Sequence, residues 1–210
     1  MNKKLFLTLI LVFALLGSIN YTSAQLAVGV KAGDWIQYNV SFTGTPDPTH
    51  AISSANMTVL SVSGTSINVN IISTYTNGTE VSSKSTLNLQ TGQLIDNFII
   101  AANLAKGGQF YDSNVGNITI TGMEQKTYAG ATRTVINATS DNNTYVWDQT
   151  TGVSVEGIST QPTYTMHSIV NETNMWQAQV PEFGRTVAPL LIAGVLVVVS
   201  AAVIIIRKRK

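Results

Sequence analysis

The 210-residue chain has no cysteine, only two histidines and few charged residues, and each shortage excludes a class of chemistry. Without cysteine there can be no disulfide, no thiolate metal site and no cysteine nucleophile. Asp47 and His50 could offer two metal ligands, but Pro46 and Pro48 in the same loop favour a rigid turn. The acidic run 140–143 lacks the ligand spacing of a calcium loop and is typical of a turn. We therefore predict neither a metal site nor a cofactor.

Catalytic motifs are also missing. The sequence contains no Gly-x-Ser-x-Gly elbow, no phosphate-binding loop and no His-Glu-x-x-His helix. His167 lies in an alternating run, which is typical of a strand histidine. The carboxylates are scattered, and a glycosidase pair is neither indicated nor excluded. Trp35, Trp147 and Trp176 suggest sugar stacking, but core packing, and for Trp176 a membrane-interface position, is the simpler interpretation. We expect a protein that is not an enzyme.

The first 24 residues have the form of an export signal. Lys3 and Lys4 precede the apolar run from Leu5 to Leu16, and small residues at 22–24 precede a cleavage point. The run is too short to span a membrane comfortably, so we predict a cleaved signal peptide over 1–24, with an uncleaved N-terminal anchor as the alternative. The remaining exported chain has the length of one domain.

The uncharged run from Thr186 to Ile206 predicts a transmembrane helix. A helix of this length spans about 31 Å, close to the hydrocarbon thickness of a bilayer. Its residues are mostly Val, Ile, Leu and Ala, and Thr186 and Ser200 are the only hydroxyl side chains in it. A basic tail over 207–210 follows, formed by Arg207, Lys208, Arg209 and Lys210.

The distribution of charge orients this helix. Residues 25–185 carry six Lys and Arg against all eleven carboxylates of the chain, a net charge of −5, whereas the last four residues are all basic. The positive-inside rule then predicts a single-pass type I protein of the cell membrane, with its domain outside and its C-terminus in the cytoplasm. An acidic domain without a Lys/Arg cluster argues against a nucleic-acid partner.

Short alternating runs predict an all-β domain over 25–170. Residues 34–42 alternate, with Ile36 and Tyr38 on one side, and further strands are predicted at 55–62, 66–75 and 80–89. Asn77-Gly78 predicts a two-residue hairpin because both residue types tolerate positive φ. These four strands form an antiparallel meander.

The second half of the domain is predicted to add further strands, with one hairpin turn at Gly122-Met123 and another over 148–152. The predicted strands lie at 109–111, 117–121, 124–128, 132–139, 143–147, 153–156 and 164–170. About ten short antiparallel strands predict a curved sheet, an open half-barrel or a sandwich. Residues 171–185 have no clear period and are predicted to form a stalk between the domain and the membrane.

N-glycosylation sequons are the densest chemical signal in the exported chain. Seven Asn-x-Ser/Thr sequences lie between the predicted signal and the predicted helix, and they predict a glycan-coated surface domain. Their asparagines are Asn39, Asn56, Asn77, Asn117, Asn137, Asn142 and Asn171. A composition biased toward Asn and Thr in β-turns is the alternative explanation. Those on strands can carry a glycan only if they face solvent.

Pro181-Glu182-Phe183, followed by the apolar run and the basic end, resembles the PEF-CTERM type of archaeal protein-sorting signal. The resemblance covers the last thirty residues. It implies recognition by an archaeosortase-like membrane protease, with cleavage near Pro181, Glu182 and Phe183 and transfer to another anchor. A plain stop-transfer anchor is the alternative. Such tails occur on unrelated domains, so the resemblance implies an address and not an activity.

Two segments of the domain carry a second resemblance. Trp147-Asp148, followed by Thr151-Gly152, is similar to a hairpin in bacterial lipoprotein carriers of the LolA and LppX type. The same segment, together with Gly33-Asp34-Trp35, looks like patterns common in archaeal surface proteins. The resemblance to the carriers implies a curved antiparallel sheet with an apolar face that holds lipid.

Together these observations predict a membrane-anchored, N-glycosylated surface protein with a structural or binding role. The alternative is a lipid-binding half-barrel, and an extracellular hydrolase is a third hypothesis. The half-barrel requires an uncovered apolar groove built from residues such as Ile71, Leu87, Ile99 and Phe110. The hydrolase requires carboxylates or histidines that converge in a cleft.

Overall fold

A computed structural model describes residues 26–179, and this part of the chain is all-β. Within it no helix is long and apolar enough to cross a membrane. The predicted signal peptide, the Pro-Glu-Phe motif, the transmembrane helix and the basic tail lie outside the described residues. The strands are β1 (Trp35–Gly44), β2 (Ile52–Ser63), β3 (Ser66–Tyr75), β4 (Glu80–Asn88), β5 (Gln109–Asp112), β6 (Gly116–Thr119), β7 (Gly122–Tyr128), β8 (Ala131–Ser140), β9 (Asn143–Asp148), β10 (Ser154–Thr160) and β11 (Tyr164–Thr173).

Nine strands form one antiparallel sheet in the order β4-β3-β2-β1-β11-β10-β9-β8-β7, and β5 and β6 form a separate pair. Consecutive strands pair through hairpins, while β1 pairs with β11 from the other end of the domain. The edge strands β4 and β7 are not paired with each other in residues 26–179, so the sheet does not close into a barrel. The predicted all-β antiparallel fold is confirmed.

The first four strands agree with the predicted meander, but the Asn77-Gly78 turn differs from the prediction. The loop contains three residues, 76–78, because the N–H of Tyr75 donates to the carbonyl of Thr79 at 2.9 Å. The N–H of Gly78 donates to the carbonyl of Tyr75, and Gly78 has φ of 84°. A type I turn followed by a left-handed glycine is the usual three-residue hairpin loop.

The hairpin predicted at Gly122-Met123 is wrong. β6 pairs back with β5, through a turn in which Asp112 accepts hydrogen bonds from the N–H groups of Asn114 and Val115. Residue 122 instead begins β7, which pairs with β8 through Ala129-Gly130. Both turn residues have positive φ, 44° and 74°, as a two-residue hairpin with the correct twist requires.

Alternation along the strands gives the sheet two faces. The inner face carries Ile36 and Tyr38, and the outer face carries Glu156. Residues 89–121, which we call the crossover, link β4 to β7 by way of the inner face. There the carbonyl of Phe98 accepts from the N–H of Ser154, and the N–H of Ile100 donates to Gly152. Because these bonds lie near the end where β1 begins, the crossover covers that half of the inner face and buries the main core there.

The C-terminal end of the domain lies further along the chain than predicted. β11 continues to Thr173, and the buried Trp176 donates from its indole N–H to the carbonyl of Tyr128 at 3.0 Å. The N–H of Gln179 donates to Gly130 at 2.8 Å. Residues 171–179, predicted as part of a stalk, are therefore packed on the domain. Trp176 is a core residue here and not a membrane-interface residue.

Candidate functional site

The inner face of the nine-stranded sheet carries no charged side chain. The strand register places every Asp, Glu, Lys, Arg and His of these nine strands on the outer face. Those residues are Glu80, Lys84, Glu124, Lys126, Arg133, Asp148, Glu156, His167 and Glu172. A surface with this composition excludes charged ligands more strongly than neutral ones, because a charge removed from water needs a partner.

The half of the inner face where β1 ends is not covered by the crossover, and we call it the trough. The trough is lined by half-buried apolar side chains from five strands. They are Val40 and Phe42 on β1, Ala55 on β2, Ile71 on β3, Tyr145 on β9, and Tyr164 and Met166 on β11. The rings of Phe42 and Tyr164 meet edge to face at 5.7 Å. Phe98 of the crossover packs against Tyr38 at 5.9 Å and marks the boundary with the covered half.

The groove predicted from the sequence is largely filled. Leu87, Ile99 and Phe110 are 1%, 0% and 7% exposed. Residue 99 forms a bridge with Val153, and the ring of residue 110 meets Trp147 at 5.4 Å, so the crossover itself occupies that part of the face. Of the four predicted residues, Ile71 alone remains half-buried on the inner face. The open apolar surface is therefore at the other end of the sheet.

A strained turn lies next to the trough. Ile95, Asp96 and Asn97 have φ values of 48°, 52° and 56°, a left-handed conformation that is unusual for a β-branched residue such as isoleucine. Trp147 donates from its indole N–H to the carbonyl of Asn97 at 2.8 Å. Burial raises the pKa of Tyr145, and the nearby Asn97 amide opposes that effect. The buried side-chain oxygen of Asn97 has no hydrogen-bond partner within the described residues.

The Trp-Asp-x-x-Thr-Gly segment forms a loop that is fixed by Asp148. This fully buried carboxylate accepts hydrogen bonds from the N–H and the hydroxyl of Thr151, both at 2.9 Å. It also accepts two bonds from Arg133, at 2.7 and 3.1 Å. The neighbouring Trp147 stacks on Tyr145 at 5.3 Å. The motif therefore joins β8 and β9 and supports the edge of the trough.

Glu156 is the centre of a polar cluster on the outer face. Its carboxylate accepts from Lys126 at 2.6 Å and from the hydroxyl of Tyr128 at 2.5 Å, and it lies 2.9 Å from Nε2 of His167. Burial acts to raise the pKa of Glu156, but these three partners outweigh burial and lower the pKa to about 2. Burial and Glu156 together raise the pKa of Tyr128 to about 12. Every partner points at one carboxylate, so the cluster links β7, β10 and β11.

Because of this cluster, the stability of the domain should vary with pH in the acid range. The carboxyl of Glu156 has a lower pKa when folded than when unfolded, so its contribution is complete above about pH 4.5 and is lost as the pH falls toward 2. We expect the urea midpoint of the wild type to fall more between pH 5 and 3 than that of Glu156→Gln. Glu80→Gln, at the exposed start of β4, should retain the wild-type slope. Equal slopes for Glu156→Gln and the wild type would contradict the assignment.

The two histidines lie in different parts of the domain and have different contacts. His50 lies in the exposed loop before β2, where the hydroxyl of Thr49 is 3.2 Å from its Nδ1 and also donates to Asp47 at 2.6 Å. Hydrogen bonds from Thr49 lower the pKa of Asp47. His167 contacts Glu156 on the outer face. Across residues 26–179, no three His, Asp or Glu side chains are placed to hold a metal ion.

Two of the sequons, at Asn77 and Asn142, lie in turns at the same end of the sheet as the trough. Five of the seven sequon asparagines are exposed, namely Asn39, Asn77, Asn117, Asn142 and Asn171, and two are half-buried, namely Asn56 and Asn137. The register puts Asn39, Asn56 and Asn137 on the outer face. The side-chain oxygen of Asn137 accepts a hydrogen bond from the hydroxyl of Thr121 at 3.1 Å. Glycan occupancy stays a prediction.

Lys126, Tyr128 and Glu156 were not identified from the sequence. Alternation on β10 and β11 could have placed Glu156 beside His167, because the two strands pair directly. Lys126 lies on β7, which β8 and β9 separate from β10. No local pattern indicates that contact.

No family model matches the chain, and no curated protein matches it. Among solved structures it is similar to the siderocalin Ex-FABP, described as functioning through dual ligand specificities. The likeness has a TM-score of 0.27 and 12% sequence identity, over 76% of this chain and 83% of that chain. A likeness at this score carries no argument for fold or function.

Proposed function

We propose that this is a membrane-anchored, N-glycosylated cell-surface protein whose domain binds an uncharged hydrophobic molecule in the trough. In this proposal the sheet and the crossover form an open half-barrel. The observation that carries it is the inner face itself, which has no charged residue on nine strands and keeps an apolar, half-buried surface at one end. Export and anchoring are supported by the signal-like start, the apolar run 186–206 and the basic end.

The size of the trough fits a ligand of modest affinity. The trough extends over five residues along a strand and over six adjacent strands, because β10 lies between β11 and β9, and this gives a surface of about 16 by 24 Å. Burying about 300 Å² of apolar ligand surface there stabilises the complex by about 7 kcal/mol before the cost of association. A gain of about 7 kcal/mol alone corresponds to a dissociation constant of about 10 µM, so after the cost of association we expect weaker binding, toward the millimolar range.

The outer-face sequon at Asn39 is compatible with a glycosylated protein that keeps the trough open. Asn39 lies on the outer face, and Asn77 and Asn142 lie in turns beyond the strand ends. A glycan on Asn39 would point away from the trough, whereas glycans on Asn77 and Asn142 would stand at its end.

Ser168→Asp tests the trough directly. Ser168 faces inward between Val40 and Gly157, so an aspartate there places a charge in the trough. We expect affinity for a neutral fluorescent hydrophobe such as Nile red to fall at least about tenfold. Ser41→Asp is the matched control, because it makes the same change on the outer face of the neighbouring strand, and it should leave affinity unchanged. The measurement is a fluorescence titration of the full chain in detergent-free nanodiscs with labelled-lipid controls.

Ligand charge gives a second measure of the same site. A long-chain alcohol should displace the probe at least about tenfold more effectively than a fatty acid of equal length at pH 8, since the inner face has no cation to pair with a carboxylate. Equal competition by alcohol and fatty acid, or equal loss in Ser168→Asp and Ser41→Asp, would rule out the proposed site.

We propose no catalytic role, because the hydrogen bonds of Glu156 and His167 are directed at each other and at Lys126 and Tyr128.

We also propose that an archaeosortase-like protease processes the chain near Pro181, on the strength of the Pro-Glu-Phe motif, the apolar run and the basic end. Mass spectrometry of native membranes tests this, because an intact C-terminal peptide through Lys210 would count against cleavage.

A further inference from the structure

One sequon is built into a pocket. β5 and β6 form a two-stranded hairpin in which Tyr111 is directly opposite Asn117 and Gln109 is opposite Thr119. These four side chains share the exposed face of the hairpin, while Phe110 points to the buried side. Side chains directly opposite each other on paired strands have Cβ atoms about 5 Å apart. The sequon asparagine therefore has an aromatic neighbour within reach of a first attached sugar.

A pocket of about 250 Å³ lies beside this hairpin. Its floor is apolar and includes Leu94 and Phe110, and its polar lining includes Gln90, Gln109 and Asn117 together with the ring of Tyr111. No charged residue lines it. An apolar floor with carboxamide groups around it suits a sugar ring, which has one C–H face and several hydroxyl groups.

The ring of Tyr111 is held in place although the residue is 49% exposed. A Cβ at Gly92 would lie 2.6 Å from the Cδ1 atom of the ring, so the ring rests directly on the glycine backbone. Gly92 has φ of 75°, and its carbonyl accepts from the N–H of Ser113 at 2.9 Å. A ring fixed in this way loses little conformational entropy when a ligand stacks on it.

We propose that the first sugar of a glycan on Asn117 packs against Tyr111 in this pocket, so that this glycan is part of the folded structure. The inference rests on the N-glycosylation in the proposed function, and it distinguishes Asn117 from the other sequons. Asn142 is the contrast, because it lies exposed in the turn between β8 and β9. A glycan on Asn142 would extend into solvent and contribute little to stability.

Enzymatic trimming of the glycans distinguishes a first sugar that packs on the domain from glycans that extend into solvent. The full chain is produced in an N-glycosylating host and is either trimmed to one N-acetylglucosamine per site or deglycosylated completely. Because the pocket takes only the first sugar, we expect the trimmed protein to retain the melting temperature of the glycosylated protein. Complete removal should lower the melting temperature by about 2–4 °C, a typical effect of a small stabilising contact in a domain of this size.

Sequon variants show which site causes the difference in melting temperature between the trimmed and the fully deglycosylated protein. In Asn117→Gln and in Tyr111→Ala the trimmed and fully deglycosylated proteins should melt together, whereas Asn142→Gln should keep the difference. Thr119→Ala removes the sequon and keeps Asn117, which protects the test if Asn117→Gln folds poorly. Peptide mapping should show Asn117 occupied in Tyr111→Ala.

The inference is overturned if peptide mapping shows Asn117 unoccupied while other sequons are occupied, or if Asn117→Gln keeps the full difference. Bare asparagine at all seven sequons would overturn it together with the proposed glycosylation. Binding in the trough is measured separately on unglycosylated protein, so its success or failure is independent of this result.

Discussion

Replacing Asp148 by alanine is expected to lower the free energy of unfolding by about 3–5 kcal/mol, the usual cost of removing one partner of a buried ion pair. The Asp148 side chain is completely buried and that of Arg133 is 21% exposed. Without the carboxylate, the guanidinium loses both of its bonds in a site with little access to water. The N–H and hydroxyl of Thr151 lose their acceptor as well.

Asp148→Asn separates these two contributions. An amide oxygen can still accept hydrogen bonds from Thr151, but it cannot neutralise Arg133. We therefore expect Asp148→Asn to have a free energy of unfolding between that of the wild type and that of Asp148→Ala. Urea unfolding measures all three proteins. Glu124→Ala, at an exposed position on β7, should change stability by less than about 0.5 kcal/mol. A change that small in Asp148→Ala would mean that the pair does not hold this loop.

The hairpins of the first half could be predicted because their information is local. The alternation in 66–75 defines β3 with the bounds that the structure shows. The period of two fixes which side chains share a face, and Asn-Gly marks the turn after it. The loop length could not be predicted, since it depends on the pairing of Tyr75 with Thr79 across the turn.

The error at Gly122 has a different physical cause. A glycine between two short strands is typical of a turn, but here the backbone runs straight beside β8. A Cβ at Gly122 would lie 2.7 Å from the side chain of Asn137, so the glycine is needed for close packing within the sheet. That contact joins two strands across a hairpin, and the sequence pattern around residue 122 does not contain it.

The sequence could predict an apolar face on the sheet, but not which part of that face is uncovered. Alternation alone shows that Val40 and Phe42 share a face with Tyr38, and the same reasoning puts Tyr164 and Met166 together on β11. Which of these remain uncovered depends on the path of the crossover. That path is set by contacts distant in sequence, such as the bridge from Ile99 to Val153.

Trp176→Ala is expected to lower the free energy of unfolding by about 3–5 kcal/mol, the range for removing a large buried aromatic side chain. Trp176 is 8% exposed, and the guanidinium carbon of Arg133 lies 4.9 Å from the centre of its ring. The substitution also removes the donor to the carbonyl of Tyr128. Gln177→Ala, at the exposed next residue, should change stability by less than about 0.5 kcal/mol.

Arg133 links the two positions discussed above, so the effects of Trp176→Ala and Asp148→Ala should not be additive. Arg133 pairs with Asp148 on one side and packs on Trp176 on the other. A double-mutant cycle should give a coupling of about 0.5–2 kcal/mol. Additive losses, with each single loss large, would show that the two contacts are independent. A small loss in Trp176→Ala would instead show that residues 174–179 are not part of the fold, and would restore the predicted stalk to the end of β11.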